Sequence, residues 1–237
     1  NLTRRFGRRK IAVNNLDLSV PEGSVYVLLG RNGAGKTTTI RMLMGLLART
    51  AGTAAVLGRD PARDAVALRK RIGFVAEDQR MYGWMTVGGI VRFCRPFYPA
   101  WDNALQKSLL ERFELTEDMR LGSLSRGTYG KVALLLALCH QPDLLILVDP
   151  PSGLDPVVRR QFLQGIIELI QGGERTVFFS THIITEIEQV ADHVGIMDKG
   201  SLLYSGPLDA LKETVKKIRM VFDGAVPEAI LPDGVVR

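Results

Sequence analysis

The sequence predicts an α/β fold with a mostly parallel sheet, and three observations indicate it. An apolar run at residues 24–29 (SVYVLL) is followed by a glycine-rich loop and then by apolar residues at helical spacing. Two further apolar runs, at residues 144–148 and 176–180, have the length and composition of buried strands. Residues 86–139, which lie between the glycine-rich loop and the first of these two runs, have a mostly helical pattern. Strands that alternate with helices favour a parallel sheet. We expect the long helical stretch to be an insertion into that alternating pattern.

Shorter patterns predict the remaining elements. Apolar spacing predicts a helix over residues 104–113, and Ser125 stands where it would cap a helix that runs to residue 139. The runs on either side of Lys199 and Gly200 predict a hairpin. The same patterns predict a strand at residues 71–75, a turn with a short strand at residues 52–58, and a helix at residues 183–191.

Length and composition indicate one large domain, with room for an appendage. The chain has 237 residues, of which 46% are hydrophobic and 24% are charged, so a core of normal size is expected. The formal net charge is +6. Because no long basic run occurs, this excess favours a solvated surface, although it also permits attraction to phosphates, nucleic acid or an anionic membrane face.

Cysteine usage and hydropathy restrict the class of protein. Cys94 and Cys139 lie far apart without CxxC spacing, so we expect reduced, cytosolic thiols and neither a disulfide framework nor a cysteine-built zinc site. No run approaches the roughly 18 apolar residues of a membrane span, and no signal peptide is visible. The chain begins at Asn1 without a methionine and is soon inside a motif-bearing segment, which indicates a fragment.

Residues 30–37 carry the strongest motif. GRNGAGKT matches the pattern GxxxxGK[ST] at every position and stands between a predicted strand and a predicted helix. Glycines let successive backbone N–H groups point at one phosphate, and the helix presents its positive N-terminus to the same anion. Lys36 is expected to reach the β- and γ-phosphates, and Thr37 to offer its hydroxyl to Mg²⁺. The predicted ATP contacts are Gly30, Asn32, Gly33, Ala34, Gly35, Lys36, Thr37 and Thr38.

Two later segments resemble motifs of the ATP-binding subunits of ABC transporters. Residues 124–128 (LSRGT) are similar to the LSGGQ signature, with Ser125 and Gly127 kept and the third and fifth positions changed to Arg and Thr. Residues 152–156 (SGLDP) are similar to the D-loop, which crosses the dimer interface and here contains Asp155. The resemblance implies that these residues meet the nucleotide held by a partner subunit.

Three single residues extend the resemblance, which covers about residues 2–212. Phe6 stands where the family has an aromatic ring that stacks on adenine, and His182 stands where it has the switch histidine that contacts the γ-phosphate. Glu77 replaces the usual glutamine of the Q-loop, as in a subgroup of bacterial exporters that residues 97–102 (FYPAWD) also resemble.

The resemblance implies both an architecture and its boundaries. It implies a RecA-like P-loop core sheet flanked by helices, an N-terminal antiparallel β part, and an inserted helical signature subdomain at about residues 86–139. The nucleotide-binding domain would occupy residues 1–212. Residues 213–237, where the sequence pattern changes, would be the start of a small, truncated C-terminal accessory segment.

The resemblance also implies the chemistry and the partners. Asp149, His182 and Glu77 would be catalytic, with Thr37 and Glu77 facing the metal, and the cofactors would be ATP and Mg²⁺. The partners would be a second nucleotide-binding subunit and transmembrane permease subunits, which would hold this chain on the cytoplasmic face of the cell membrane. No nucleic acid is expected as a partner. The resemblance implies that the permease subunits, and not this chain, select the transported substrate.

One departure from the family concerns the acidic pair at the end of the Walker B strand. The family has Asp, which holds the water shell of Mg²⁺, followed by Glu, which polarises the attacking water. Counting back from the D-loop places Val148 at the first position and Asp149 at the second, whereas counting the apolar run alone makes Asp149 the magnesium acid and puts Pro150 in place of the base. Either alignment leaves one carboxylate, so ATP binding is expected more firmly than fast hydrolysis.

Two alternatives to an exporter ATPase stay open. The chain could be a hydrolysis-impaired regulatory subunit of a heterodimeric transporter, which the valine at position 148 favours. It could also be a nucleic-acid-associated ABC ATPase, which the net charge of +6 permits. Against the second alternative, the sequence lacks the two-domain arrangement and the long coiled-coil insertion of those classes.

Overall fold

Eight strands in two sheets are present in the part of the chain that the computed structural model describes, which is residues 1–7, 10–77, 79–149, 175–184, 188 and 190–214. Their bounds are Leu2–Phe6 (β1), Lys10–Leu16 (β2), Val25–Leu29 (β3), Ile72–Val75 (β4), Leu144–Val148 (β5), Thr176–Thr181 (β6), His193–Asp198 (β7) and Ser201–Pro207 (β8). β1 and β2 form an antiparallel pair. The other six form one sheet in the order β4-β5-β6-β3-β7-β8, in which only β8 is antiparallel to its neighbour.

Helices connect these strands and build the inserted region. Their bounds are Lys36–Leu43 (α1), Ala65–Arg69 (α2), Val87–Cys94 (α3), Asn103–Arg112 (α4), Arg126–Leu138 (α5) and Leu208–Thr214 (α6), with short 3-10 turns at Arg95–Phe97 and Leu121–Ser123. The starts of α3, α4 and α5 are each fixed by a side-chain oxygen. Thr86, Asp102 and Ser125 accept hydrogen bonds from backbone N–H groups three residues later, at 2.9–3.1 Å, which satisfies donors that the helix leaves free.

Alternation along the central strands divides the core between the two faces of the sheet. In β5, Leu145 and Leu147 pack in the cluster that contains residues of α3, α4 and α5. Leu144, Ile146 and Val148 point to the other face and pack with residues of α1 and of the β1–β2 sheet. Because both faces of β5 are covered, all five of its residues are apolar and buried, as is usual for a central parallel strand.

Most of the predicted elements are confirmed, including the α/β class, the parallel core, the N-terminal antiparallel pair and the helical insertion. The short strand predicted at residues 52–58 is wrong. Val56 makes only a single bridge, with Arg59, because the chain turns through left-handed φ values at Gly52, Leu57 and Gly58. The predicted helix at residues 183–191 lies mainly outside the described residues, as does the accessory segment from residue 215 onward.

None of the helices in the described part of the chain has both the length and the apolar character that a membrane crossing requires.

Candidate functional site

The glycine-rich loop joins the central strand β3 to the first turn of α1. Gly35 lies at the N-cap of α1 with φ +110°, and a Cβ there would come 2.5 Å from the carbonyl oxygen of Ala12. A Cβ on Gly30 would come equally close to the carbonyl oxygen of Met197. Both contacts come from elements packed around the loop, so a larger residue at either position would displace the loop from its place above the sheet.

The turn between β7 and β8 supports the loop from one side. The backbone N–H of Gly200 donates to the carbonyl oxygen of Ala34 at 2.9 Å, and the N–H of Asn14 donates to Gly200 at 2.8 Å. Ala34 is buried beneath this turn, whereas Asn32 and Gly33 are exposed at the tip of the loop. The sequence indicated the hairpin but gave no sign that its turn holds the loop.

Lys36 directs its ammonium group into the loop. The residue is only 5% exposed, and Nζ donates to the carbonyl oxygen of Gly30 at 2.5 Å. Burial lowers the pKa of Lys36, while the negative charges of Asp149 and Glu77 act in the opposite direction. The two predicted carboxylates therefore lie close enough to Lys36 to influence its charge, although the sequence separates them from it widely.

Thr37 and Thr38 follow Lys36 in the first turn of α1, and both are partly buried. Thr39, the next residue, is fully buried, and its hydroxyl donates a hydrogen bond to the carbonyl oxygen of Gly35 at 3.1 Å. The structure thus places the hydroxyl-bearing residues Thr37 and Thr38 at the helix N-terminus beside the loop, where the backbone N–H groups favour an anion.

Asp149 and His182 form a pair at the ends of two neighbouring strands. Oδ1 of Asp149 lies 2.9 Å from Nδ1 of His182, and the backbone N–H of Asp149 donates to the carbonyl oxygen of Ser180 at 2.9 Å. The Asp149 carboxylate is buried, whereas the His182 side chain is 40% exposed. Asp149 has a left-handed φ of +40°, which aspartate tolerates better than most residues.

Val148 presents no polar atom at this edge. Its side chain is 3% exposed and packs in the apolar cluster that contains Leu28 and Ile40, on the face of the sheet that carries α1. Ser180 is its partner in β6, and the Ser180 hydroxyl has no hydrogen-bond partner among the described residues. Ser180 lies two residues before His182 in the chain, but only the structure reveals its buried hydroxyl without a partner among the described residues.

Glu77 follows β4 and completes the row of strand ends on this side. It is exposed, and the N–H of Ala76 beside it donates to Oε1 of Gln79 at 3.3 Å. Since β3, β4, β5 and β6 are parallel, Glu77, Asp149, His182 and the loop all follow the carboxyl ends of strands. Ligands of open α/β sheets bind at this edge.

The aromatic ring of Phe6 lies at the end of the β1–β2 hairpin. The ring is 41% exposed, and the guanidinium carbon of Arg4 lies 4.6 Å from its centroid. Arg4 is held in turn by a 2.8 Å hydrogen bond from its guanidinium to the carbonyl oxygen of Ala48. Phe6 pairs with Lys10 in β2, the strand whose Ala12 contacts the loop glycine. The contact with Arg4 was not foreseen from the sequence.

The signature segment begins α5. Ser125 is exposed at the N-cap, where its Oγ accepts from the N–H of Thr128 at 3.1 Å, and Gly127 lies in the first turn. Asp155, together with the rest of the predicted D-loop, lies outside the described residues.

The oxygen donors at this edge fit Mg²⁺ that arrives with a nucleotide. Mg²⁺ prefers oxygen ligands and commonly combines one or two protein ligands with substrate phosphates and waters. Thr37, Asp149 and Glu77 supply such oxygens. Within the described ranges no group of three or more His, Cys, Asp or Glu could hold an ion by itself. A metal here would therefore depend on phosphate oxygens.

Comparisons with known proteins identify the family of the chain. The sequence pattern of a family described as "ABC transporter" matches residues 13–152. The bacitracin transport ATP-binding protein BcrA of Bacillus licheniformis is 36% identical over 219 residues, which are 92% of this chain and 71% of that protein. The probable multidrug ABC transporter ATP-binding protein YbhF of Escherichia coli is 36% identical over 216 residues, which are 89% of this chain but only 37% of that protein.

A solved structure shows the same fold. The ATP-binding subunit of an ABC transporter superposes with a TM-score of 0.80 at 25% identity, covering 90% of each chain. The family match spans more than half of the sequence, and the bacitracin relative is matched over most of its length. The chain therefore belongs to the ABC transporter family, as one of its ATP-binding domains.

Proposed function

We propose that this chain binds Mg²⁺-ATP at the carboxyl edge of its sheet and hydrolyses it as the ATP-binding subunit of a bacterial exporter. The observation that carries the proposal is the convergence of three parts of the chain on one edge. These are the buried ammonium of Lys36 within its loop, the Asp149–His182 pair, and Glu77. Positive and negative groups are thus placed together where a phosphate chain and an attacking water would have to meet.

Each group has a specific task in this proposal. Lys36 and the loop N–H groups hold the β- and γ-phosphates, and the hydroxyl of Thr37 holds the metal. Bound Mg²⁺ would neutralise charge that develops on the phosphates. Asp149 orients the attacking water, and His182 fixes the position of the Asp149 carboxylate while its exposed edge faces the γ-phosphate. Glu77 contributes a further carboxylate toward the metal or the water.

The proposal includes a second nucleotide-binding subunit. Ser125 and Gly127 of one subunit would face the ATP on Lys36 of the other, with Asp155 crossing between them. The exposed N-cap of α5 supports this arrangement, because the free N–H groups of a helix start favour an anion.

An exposed group of aromatic rings supports the proposed permease partner. The ring of Tyr82 contacts those of Trp84 and Phe93, and Phe93 contacts Phe97, with ring centroids 5.8–6.2 Å apart. Trp84 is 73% exposed. Contiguous exposed apolar surface of this kind marks interaction sites. We propose that an apolar segment of the membrane subunit covers these rings, which would place the chain peripherally on the cytoplasmic face of the membrane.

Export, rather than uptake, is supported by the relatives. The Nod factor export ATP-binding protein I of Burkholderia lata is 36% identical over 219 residues, which are 90% of this chain and 71% of that protein. We propose the same direction for this chain and leave the choice of substrate to the membrane subunits.

One observation favours a second candidate function, that of a regulatory subunit that binds ATP but hydrolyses it poorly. Val148 lies buried in an apolar cluster at the position where the resemblance places a carboxylate, so one anchor for the waters of Mg²⁺ is missing. Loss of such an outer partner typically costs 10–100-fold in metal affinity or activity.

Two measurements on one purified protein test the proposal and separate the candidates. Equilibrium titration with ATP in the presence of Mg²⁺ measures binding, and steady-state phosphate release measures turnover. If the chain is an exporter ATPase, we expect saturable ATP binding and a phosphate release that the Lys36→Ala variant lacks. Binding with turnover no faster than that of Lys36→Ala would favour the regulatory subunit, whereas the absence of ATP binding would contradict both.

A further inference from the structure

Ser180 carries a buried hydroxyl that the folded chain leaves without a hydrogen bond. The residue is 0% exposed, and its Oγ has no partner among the described residues. An unpaired buried hydroxyl costs roughly 1–3 kcal/mol of folding free energy. Because nearly all buried polar groups in proteins are paired, an exception beside a candidate site calls for a functional reason.

The position of Ser180 in the sheet brings this hydroxyl next to the missing carboxylate. Ser180 lies in β6 opposite Val148 of β5 on one side and Leu28 of β3 on the other. By alternation it shares a face with Phe178, which packs in the cluster that also contains Val148 and α1. The hydroxyl therefore lies between the strand that ends at Asp149 and the strand that leads into the loop.

The backbone next to Ser180 ties this point to the loop and to the acid. The carbonyl oxygen of Thr181 accepts the N–H of Gly30 at 3.3 Å, and the carbonyl oxygen of Ser180 accepts the N–H of Asp149 at 2.9 Å. These bonds connect the end of β6 to the first residue of the loop and to the single remaining acid of β5. The backbone of Ser180 is thus held in a fixed relation to both.

We propose that the Ser180 hydroxyl is a positioning residue for the metal of the nucleotide, through a hydrogen bond with one of the metal's water ligands. Mg²⁺ retains several waters in such sites, and a metal-bound water needs an acceptor for its O–H groups. Val148 offers no acceptor, whereas the lone pairs of Ser180 Oγ are free. The inference rests on the proposed function, because it assumes that the loop binds Mg²⁺-ATP.

Ser180→Ala tests this inference with two binding measurements, of which one is expected to change and the other to stay the same. Mg²⁺ is titrated against the protein at a fixed concentration of a fluorescent, non-hydrolysable ATP analogue, and the affinity for the analogue is also measured in EDTA. We expect the apparent Mg²⁺ affinity to fall about 10–100-fold, while binding in EDTA stays unchanged. We expect the nucleotide-free variant to unfold at the same or a higher temperature than the parent, since it lacks an unpaired buried hydroxyl.

Thr176→Val is the matched control. Thr176 is a buried residue at the opposite end of the same strand, and its Oγ1 accepts the N–H of Gly23 at 2.9 Å. Its loss should lower the unfolding temperature and leave the Mg²⁺ dependence of nucleotide binding unchanged. Adding Val148→Asp to Ser180→Ala should restore the Mg²⁺ affinity, because the new carboxylate supplies the acceptor that the serine provided.

Each contrary outcome has a definite meaning. Unchanged Mg²⁺ affinity in Ser180→Ala overturns the inference, and so does a loss of thermal stability like that of Thr176→Val, which would show a structural partner for the hydroxyl. A parent protein that binds the analogue equally well in EDTA and in Mg²⁺ overturns the inference but leaves nucleotide binding intact. A parent that binds no analogue overturns the proposed function and the inference together.

Discussion

Nδ1 of His182 lies 2.9 Å from Oδ1 of Asp149, although 33 positions separate the two residues in the chain. An ionised carboxylate can only accept hydrogen bonds, so Nδ1 must carry the proton in this contact. The other ring nitrogen, Nε2, takes no part in this contact. The contact therefore orients both the carboxylate and the imidazole ring.

This contact predicts the effect of removing the histidine. In His182→Ala the Asp149 carboxylate loses its support, and we expect phosphate release to fall by on the order of 100-fold, within the range of one positioned acid–base group. ATP affinity should change much less. His182→Asn, whose amide nitrogen can replace Nδ1, should recover part of the loss. Equal turnover of the alanine variant and the parent would show that the contact has no part in hydrolysis.

The acidic pair predicts a graded series of activities. We expect Val148→Asp to raise turnover, Asp149→Glu alone to give a smaller gain, and the double variant to be fastest, because the two carboxylates act on the same transition state and need not add. Asp149 is one methylene shorter than Glu, and a misplacement of ~1 Å can cost on the order of 100-fold in rate. Steady-state phosphate release at saturating Mg²⁺-ATP compares the four proteins.

Val148→Ala is the control for that series, since it changes the side chain at this position without supplying an acceptor for the metal's waters. It should not raise turnover. If the parent already hydrolyses ATP as fast as the double variant, the alignment of Val148 with the magnesium acid is wrong, and another carboxylate, such as Glu77, serves the metal or the water.

Among the variants considered, substitution of Lys36 is expected to have the strongest effect on ATP binding. Both Lys36→Ala and the longer Lys36→Met remove a charge-assisted contact to the phosphates, so both should weaken ATP strongly in an equilibrium titration. Lys107→Ala, which removes an exposed lysine of α4, should leave the affinity unchanged and controls for net charge. Unchanged ATP affinity in the Lys36 variants would contradict the assignment of the site.

The position of Phe6 predicts that its ring contributes to ATP affinity by stacking on the adenine base. Phe6→Ala should weaken ATP by about 1–3 kcal/mol, the usual range for a base stacked on an aromatic ring, and Phe6→Tyr should be tolerated. Arg4→Met should have a smaller effect, since a cation over an exposed ring contributes about 0.5–1 kcal/mol. Affinity for inorganic triphosphate, which has no base, should not change in any of the three. Equal binding of ATP by Phe6→Ala and the parent would contradict stacking.

The exposed N-cap of α5 predicts dimers that depend on ATP. Sedimentation should show more dimer with Mg²⁺-ATP than without it when hydrolysis is slow. Ser125→Asp keeps a good N-cap residue but points a negative charge at the partner's phosphate, so it should abolish the dimer without destabilising the helix. A strict monomer of the parent under these conditions would favour an unlike partner subunit.

Local chemistry explains why the sequence alone could indicate so much of this protein. The loop at residues 30–37 needs glycines, a lysine and a hydroxyl at fixed spacing, so its presence and its position between β3 and α1 were predictable. The five apolar residues of β5 and the Ser125 cap of α5 were equally clear. The short strand at residues 52–58 failed because left-handed residues turn the chain there, which small-residue composition does not reveal.

Only the tertiary structure decided which distant groups meet. Parallel strands bring the ends of β4, β5, β6 and β3 to one edge, so Glu77 and Asp149 approach Lys36 across long stretches of chain, and His182 contacts Asp149. Sequence spacing cannot show whether a polar atom finds a partner after burial. That question depends on strand register, and register alone sets the unpaired hydroxyl of Ser180 beside Val148. The sequence determined the phosphate loop and the strand–helix order, whereas packing determined the surroundings of each reacting group.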